Sequence, residues 1–302
     1  MKFWLSPAFC DTAHLVGLAK AAEEHGYEGI AIPDHLFHPE ELSSPYPYTP
    51  DGTRYWTAAT HWPDPWIAIA AMAAVTTRLK FTTNIYVAPA RDLLTVANSL
   101  ATAAYISQNS SDGHHRVMLG VGPGWCEDEF IATGQPFAKR GKRLDEMLLA
   151  LKALWTGDVV EIDGPNYRLP KASITPTPAD PIPVYVGGES DIALRRAARN
   201  DGWIGIYYTM EDAEEVLTRL HAAREAAGTA DRTDFRAMVA VLAEPTPEVC
   251  AQLEAWGATD MLTAPWMNSI SAMTPPGPSL DEMVTALAGY SERYIQTTRP
   301  SA

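Results

Sequence analysis

Cysteine is scarce in this chain: Cys10, Cys126 and Cys250 are the only three in 302 residues, and they are far apart with no C-x-x-C pair. That spacing argues against a disulfide framework or a zinc-thiolate site and fits reduced thiols. Positive charge is thin as well, with 23 Lys and Arg against 37 Asp and Glu and a net charge of -14. The chain therefore has no electrostatic footprint for a phosphate backbone or an anionic bilayer, and neither nucleic acid nor membrane is an expected partner. Long apolar runs are missing too. The longest, Ile67 to Val75, is too short to span a bilayer, and MKFWLSPAFCDTAH lacks the basic start and long hydrophobic region of a signal peptide. A cytoplasmic location is the expectation.

What the chain has instead is a regular alternation of short apolar or β-branched runs with longer 3.6-residue periodicities. Strands are expected at 2–9, Gly29 to Pro33, Lys80 to Val87, Arg116 to Gly122, Ile182 to Val186, Gly202 to Ile206, Phe235 to Ala243 and Asp260 to Thr263. The first three expected helices are His14 to His25, Pro65 to Thr77 and Leu93 to Ser107; helical segments then start at Asp128 and run from Arg140 to Trp155. The remaining helices are expected at Asp191 to Asn200, Glu211 to Gly228, Pro247 to Trp256 and Leu280 to Tyr294. Before strand five, VVEIDGPNYRLP reads as a hairpin turning at Asp163 and Gly164. Eight such units with right-handed crossovers close most simply as a (β/α)8 TIM barrel, one α/β domain over residues 1–302 with an insertion after strand two. Alternation alone does not prove closure, so a doubly wound open sheet remains the alternative.

A barrel puts its working residues at the C-terminal strand ends. Here these are Asp34 and His35, Asn84 to Val87, Gly122 to Trp125, and Gly187 to Ser190, four clusters expected to surround one pocket. From His35 to Asp64 the chain has many prolines and aromatics and no helical period, which marks a loop over that pocket with Tyr46, Tyr48, Tyr55 and Trp56 as substrate walls. The segment RVMLGVGPGWCEDE runs from a strand into a turn whose glycines at 120, 122 and 124 let backbone lie against a flat ring. A dinucleotide fingerprint would need an acidic residue closing the next strand, whereas Asp145 and Glu146 sit inside the helical run RLDEMLLALKALW.

An imidazole at position 35 can exchange a proton near neutral pH, and a neighbouring carboxylate such as Asp34 would orient it. For phosphate, the best local chemistry is Gly187, Gly188, Glu189 and Ser190 opening the helix that carries Arg195 and Arg196, since free N–H groups at a helix start attract anions. Glu189 suits that role only if its side chain points away. His114 and His115 precede strand four, at the face of the barrel that serves stability, and no third ligand stands at useful spacing, so no metal is expected.

Five segments in order resemble the bacterial-luciferase-like monooxygenase superfamily: AEEHGYEGIAIPDHL, DPWIAIAAMAAVTTRLKFTTNI, RVMLGVGPGWCEDEF, FAKRGKRLDEMLLALKALWTGD, and IPVYVGGES followed by LRRAARNDGWIG. The insertion SSPYPYTPDGTRYW before WPDPW resembles the coenzyme F420-dependent oxidoreductase branch. That resemblance implies hydride transfer between C5 of the deazaflavin and a small organic substrate, with His35 as the catalytic residue. Taken with the strand-end clusters, it implies cofactor contacts at Asp34, His35, Asn84, Ile85 and Val87, with a cis or bulged Asn84–Ile85 peptide behind the middle ring. Further cofactor contacts are expected at Gly122, Pro123, Gly124 and Asp128, and at Gly187, Gly188, Glu189, Ser190 and Tyr207. Trp125, Trp56 and Tyr55 are the expected substrate contacts.

Two departures from the family pattern bear on the substrate. Related sugar-phosphate dehydrogenases place a catalytic glutamate where this chain has Trp125, and a phosphate-holding lysine near the position of Thr209. A phosphorylated substrate is therefore not expected, and Trp125 with Trp62, Trp66 and Trp203 suggests an aromatic wall for a less charged one. The rival cofactor is reduced FMN in a two-component monooxygenase. A non-catalytic flavin-binding protein on the same barrel is the rival of another class. Relatives are commonly dimers, which leaves a homodimer open.

Overall fold

The computed structural model describes residues 1–108, 112–267 and 277–296. The strands in chain order are β1 (Lys2–Leu5), β2 (Gly29–Ile32), β3 (Lys80–Thr83), β4 (Leu119–Val121), β5 (Val160–Asp163), β6 (Arg168–Ala172), β7 (Val184–Gly187), β8 (Gly202–Tyr208), β9 (Arg236–Val241) and β10 (Asp260–Thr263). Eight of them pair in parallel in the order β3-β2-β1-β10-β9-β8-β7-β4, while β5 and β6 form a separate antiparallel hairpin. The two ends of the large sheet meet. Phe81 N donates to Arg116 O at 2.7 Å, Met118 N to Phe81 O at 2.9 Å and Tyr86 N to Gly120 O at 2.8 Å. These bonds close the sheet, so the open-sheet alternative falls.

The barrel interior is filled by one residue from each of seven staves, Trp4, Ala31, Met118, Tyr185, Ile204, Met238 and Leu262, with Ile85 from just beyond β3 packed beside them. The opposite strand faces pack under the helices, which is why these strands read as nearly continuous apolar runs. Most of the helices begin where a short polar side chain satisfies free N–H groups; those starting at Leu15, Glu127 and Arg140 have no such cap. After α1 (Leu15–Glu24), Asp64 caps α2 (Pro65–Ala73) and Asp92 caps α3 (Leu93–Ile106). Beyond α4 (Glu127–Ala132) and α5 (Arg140–Leu154), Ser190 caps α6 (Asp191–Ala198), Thr209 caps α7 (Met210–Ala227) and Thr246 caps α8 (Pro247–Ala255). Ser279 and Glu282 form a capping box on α9 (Leu280–Tyr290). No helix among the described residues is long and apolar enough to cross a membrane.

The ladders are shorter than periodicity suggested at three staves. Regular pairing stops at Leu5, Thr83 and Val121, because beyond them the chain bends into the barrel mouth at Pro7, at the cis Asn84–Ile85 peptide and at Gly122–Pro123–Gly124. The hairpin turn spans Gly164 to Tyr167, where Gly164 N donates to Tyr167 O at 2.9 Å, a longer loop than the two residues expected.

Glu23, in the last turn of α1, ties the approach to β3 by accepting bonds from the backbone N–H groups of Thr77, Arg78 and Leu79 and from the Thr77 hydroxyl. Burial opposes its charge, but the bonds from Arg78, Leu79 and Thr77 outweigh it and hold the carboxyl below its ordinary 4.5. A depressed acid contributes stability above its unfolded pKa and loses it as pH falls through the folded value. Glu23→Gln is therefore expected to cost about 1 kcal/mol near pH 7, a figure already reduced for solvent screening, with the gap to wild type closing on acidification. Urea midpoints of the two proteins across pH measure it.

Candidate active site

The C-terminal strand ends open onto a cavity of about 300 Å³, at the lower end of small-molecule sites. All four predicted clusters reach it. Asp34 and His35 line it from the end of β2, Asn84, Ile85 and Val87 from beyond β3, Pro123, Gly124 and Trp125 from beyond β4, and Gly187, Gly188 and Glu189 from β7. Tyr207, Tyr55 and Trp56 complete the predicted set on its wall. Gly122, Asp128 and Ser190 are not on the wall, each for a physical reason given below.

His35 is held by a residue the sequence did not single out. Its Nδ1 lies 2.9 Å from Glu129 Oε1, and the same oxygen accepts Leu36 N–H at 2.9 Å. Glu129 is enclosed, with 1% of its side chain exposed, and has only acceptors to offer as a carboxylate, so Nδ1 carries a proton and donates it. Nε2 makes no hydrogen bond among the described residues and is the nitrogen left to a ligand. Three indoles, Trp56, Trp62 and Trp125, surround the imidazole with ring centroids 5.3, 4.7 and 5.6 Å away.

Asp34, expected to orient His35, has a different partner. Both of its oxygens engage Arg91, Nη1 to Oδ2 and Nη2 to Oδ1 at 2.8 Å each, and Val87 N donates to Oδ2 at 2.9 Å. Burial works against the charge on Arg91, but the facing carboxylate outweighs it and holds the guanidinium above its ordinary value. Burial also pushes Asp34 upward, against which Arg91 and the Val87 N–H favour the carboxylate, and we read the two as an ion pair. The Arg91 guanidinium also sits 4.2 Å over the Tyr86 ring. Asp34 thereby fixes the backbone at Val87, on the cavity wall.

The Asn84–Ile85 peptide is cis, as the resemblance implied. Asn84 lines the cavity with a side-chain amide that has no hydrogen bond among the described residues. The three glycines of the β4 turn admit this segment closely, and of the three only Gly124 also reaches the cavity wall. A Cβ at Gly120 would strike the Thr83 carbonyl, one at Gly122 the Ile85 side chain, and one at Gly124 the Val87 side chain. Alternate residues of one stave thus sit on alternate residues of the next, and Gly122 is spent on holding Ile85 in place. Gly187 accommodates the same Ile85 side chain from the other side.

Asp128 holds the overlying loop. Its carboxylate accepts Ser43 N–H at 2.9 Å and the Ser43 hydroxyl at 2.6 Å, while the Ser44 hydroxyl donates to Trp125 O at 2.9 Å. That pins the long insertion to the start of α4. Within the insertion Tyr46 and Trp56 are buried with Phe9, and Tyr55, Trp62 and Trp125 pack on them. Of the four tryptophans expected as a wall, Trp125 and Trp62 face the cavity; Trp66, in α2, packs on Tyr86, and Trp203 is fully buried with Nε1 donating to Gly188 O at 2.8 Å. Cys126 is buried, and burial pushes its thiol to about 11, so it offers no thiolate.

The expected phosphate site at the start of α6 is acidic. Ser190 is occupied as the helix cap, Arg196 is buried against Asp145, and Glu189 faces the cavity with its carboxylate accepting the Tyr208 hydroxyl at 3.1 Å. Thr209 caps α7. His114 and His115 both bond Asp180 and line a separate cavity at the opposite end of the barrel. A neutral ring with polar edges fits what is present at the mouth: an unpartnered amide at Asn84, an apolar support at Ile85 and a free imidazole nitrogen.

Comparison with known proteins agrees with this architecture. A family model described as luciferase-like monooxygenase matches residues 6–272. An uncharacterized protein of Mycobacterium tuberculosis is 38% identical over 295 residues, covering 98% of this chain and 99% of that protein. An F420-dependent glucose-6-phosphate dehydrogenase of Mycobacterium tuberculosis is 32% identical over 269 residues, covering 85% of this chain and 72% of it. Among solved structures, monooxygenase RslO1 from Streptomyces bottropensis has a TM-score of 0.75 at 17% identity, over 99% of this chain and 100% of that one. An F420-dependent secondary alcohol dehydrogenase in complex with an F420–acetone adduct has a TM-score of 0.73 at 15% identity, again over 99% and 100%. At those identities the structural likeness speaks to the fold alone.

Proposed function

Because the chain belongs to the luciferase-like monooxygenase family and is an oxidoreductase, we propose that it works with coenzyme F420, moving a hydride between the deazaflavin C5 and a small, uncharged organic substrate. The observation that carries this reading is the imidazole of His35, held through Nδ1 by buried Glu129 so that Nε2 is left to the cavity beside the Asn84–Ile85 seat. When bound, the deazaflavin supplies the two-electron chemistry. The chain's own work is the rest. Ile85 and the Val87 backbone, fixed by Asp34, would hold the ring, and the Asn84 amide would bond a polar group of it. His35 Nε2 gives or takes the proton that accompanies the hydride at the substrate oxygen or nitrogen, with Glu129 holding the ring's orientation through the exchange.

The aromatic wall excludes water from this point and presents apolar faces to the substrate. No Lys or Arg among the described residues lines the cavity, which favours an uncharged substrate over a sugar phosphate. Titration with oxidised coenzyme F420 and with FMN at matched salt tests the reading. Tighter binding of F420, followed by reduction or oxidation of the bound deazaflavin by a panel of alcohols, carbonyls and enones, is the expected result. Tighter binding of FMN with oxygen-dependent turnover would replace it with a two-component monooxygenase.

A further inference from the structure

Resting on that reading, we infer that the chain recognises the deazaflavin by its ring and gains little from its phosphate-bearing tail, so a deazaflavin carrying only a neutral ribityl chain binds about as tightly as the full cofactor. The start of α6 is where backbone N–H groups would meet a phosphate, and two carboxylates stand there. Glu189 lines the cavity with its side chain fixed by the Tyr208 hydroxyl at 3.1 Å, and Asp191 opens the helix. Tyr48 stands near enough for that carboxylate to add to the burial that raises its hydroxyl, which places the Glu189 charge toward the mouth.

Two guanidiniums stand at this turn against three carboxylates: Arg219 donates to Glu189 O at 2.9 Å and to Asp191 Oδ1 at 2.7 Å and lies 3.6 Å from Glu215, while exposed Arg195 also acts on Asp191, so Glu189 is left as the carboxylate that faces the cavity. Arg196 is turned away into its bond with Asp145. A helix start attracts an anion and two exposed carboxylates repel it. Each effect is worth less than about ten-fold in affinity, and they oppose one another.

The test measures binding, not turnover. Dissociation constants of coenzyme F420 and of the tail-less deazaflavin are obtained by fluorescence titration at about 50 and 300 mM salt, for wild type and Glu189→Gln. Glutamine can still accept the Tyr208 hydroxyl, and the position is exposed, so the fold is kept. The wild-type constants are expected to agree within about five-fold, with F420 gaining on the tail-less form as salt screens the carboxylates. Glu189→Gln should tighten F420 by about three-fold and leave the tail-less form alone. If F420 binds more than about five-fold tighter than the tail-less form, or if Glu189→Gln leaves F420 unchanged, the inference fails while the F420 reading stands. Binding of neither deazaflavin would end both.

Discussion

Replacing His35 with Ala is expected to lower turnover by about 10²- to 10⁴-fold, the range spanned by positioned acid–base groups, while cofactor affinity changes by only a few-fold. The split follows from the geometry. The proposed ring seat is Asn84, Ile85 and Val87, whereas the imidazole offers a single free nitrogen at the cavity. Alanine also leaves the buried Glu129 carboxylate with only Leu36 N–H, so His35→Gln is the second variant, since its amide can still donate to Glu129. Both should lose turnover, and Glu129→Gln should fall between wild type and His35→Ala. Stopped-flow rates of hydride transfer with saturating substrate measure this. Unchanged rates in both His35 variants would remove the imidazole from the chemistry.

Arg91→Met is expected to cost about 3–5 kcal/mol of stability, because it leaves the Asp34 carboxylate enclosed without its bidentate partner. Asp34→Asn combined with Arg91→Met should cost less than Arg91→Met alone, since no orphaned charge remains. The pH dependence has a definite sign. Without Arg91, burial holds the folded-state Asp34 well above its unfolded value, so the native state binds more protons than the unfolded one. The deficit of Arg91→Met relative to wild type then shrinks as pH falls toward 5 and widens toward 8, as urea midpoints would register. A pH-independent deficit would mean that Asp34 is not ionised in the wild-type fold.

The barrel and the four strand-end clusters were legible because a parallel barrel repeats one rule eight times and places its site by topology. Details within the site were less legible where a choice depended on helix phase or on the identity of a neighbour. Glu127, Asp128 and Glu129 are three acids in a row, and sequence gave no phase for the short α4. The third faces inward onto His35 and the second faces the Ser43 loop. The burial of Phe130 beside Glu129 was the available signal, as an apolar residue that fixes which side of the first turn is inner. Arg91 follows a buried Ala-Pro-Ala turn at the same barrel end as Asp34; a lone cation there was the clue to a buried pair. The glycines were ambiguous for a different reason. A missing Cβ says that something approaches closely, and it does not say whether that is a ligand or the next strand.

The way Gly120, Gly122 and Gly124 interlock with Thr83, Ile85 and Val87 has an evolutionary corollary. The same interlock shapes the cavity wall and joins β3 to β4, so drift on that side threatens folding before it can alter chemistry. The overlying insertion is under no such double duty: it is anchored at Ser43 and Ser44 and packed on its own aromatics. New substrate scope in descendants of this chain should therefore accumulate between positions 36 and 64, on a chassis whose other half stays frozen.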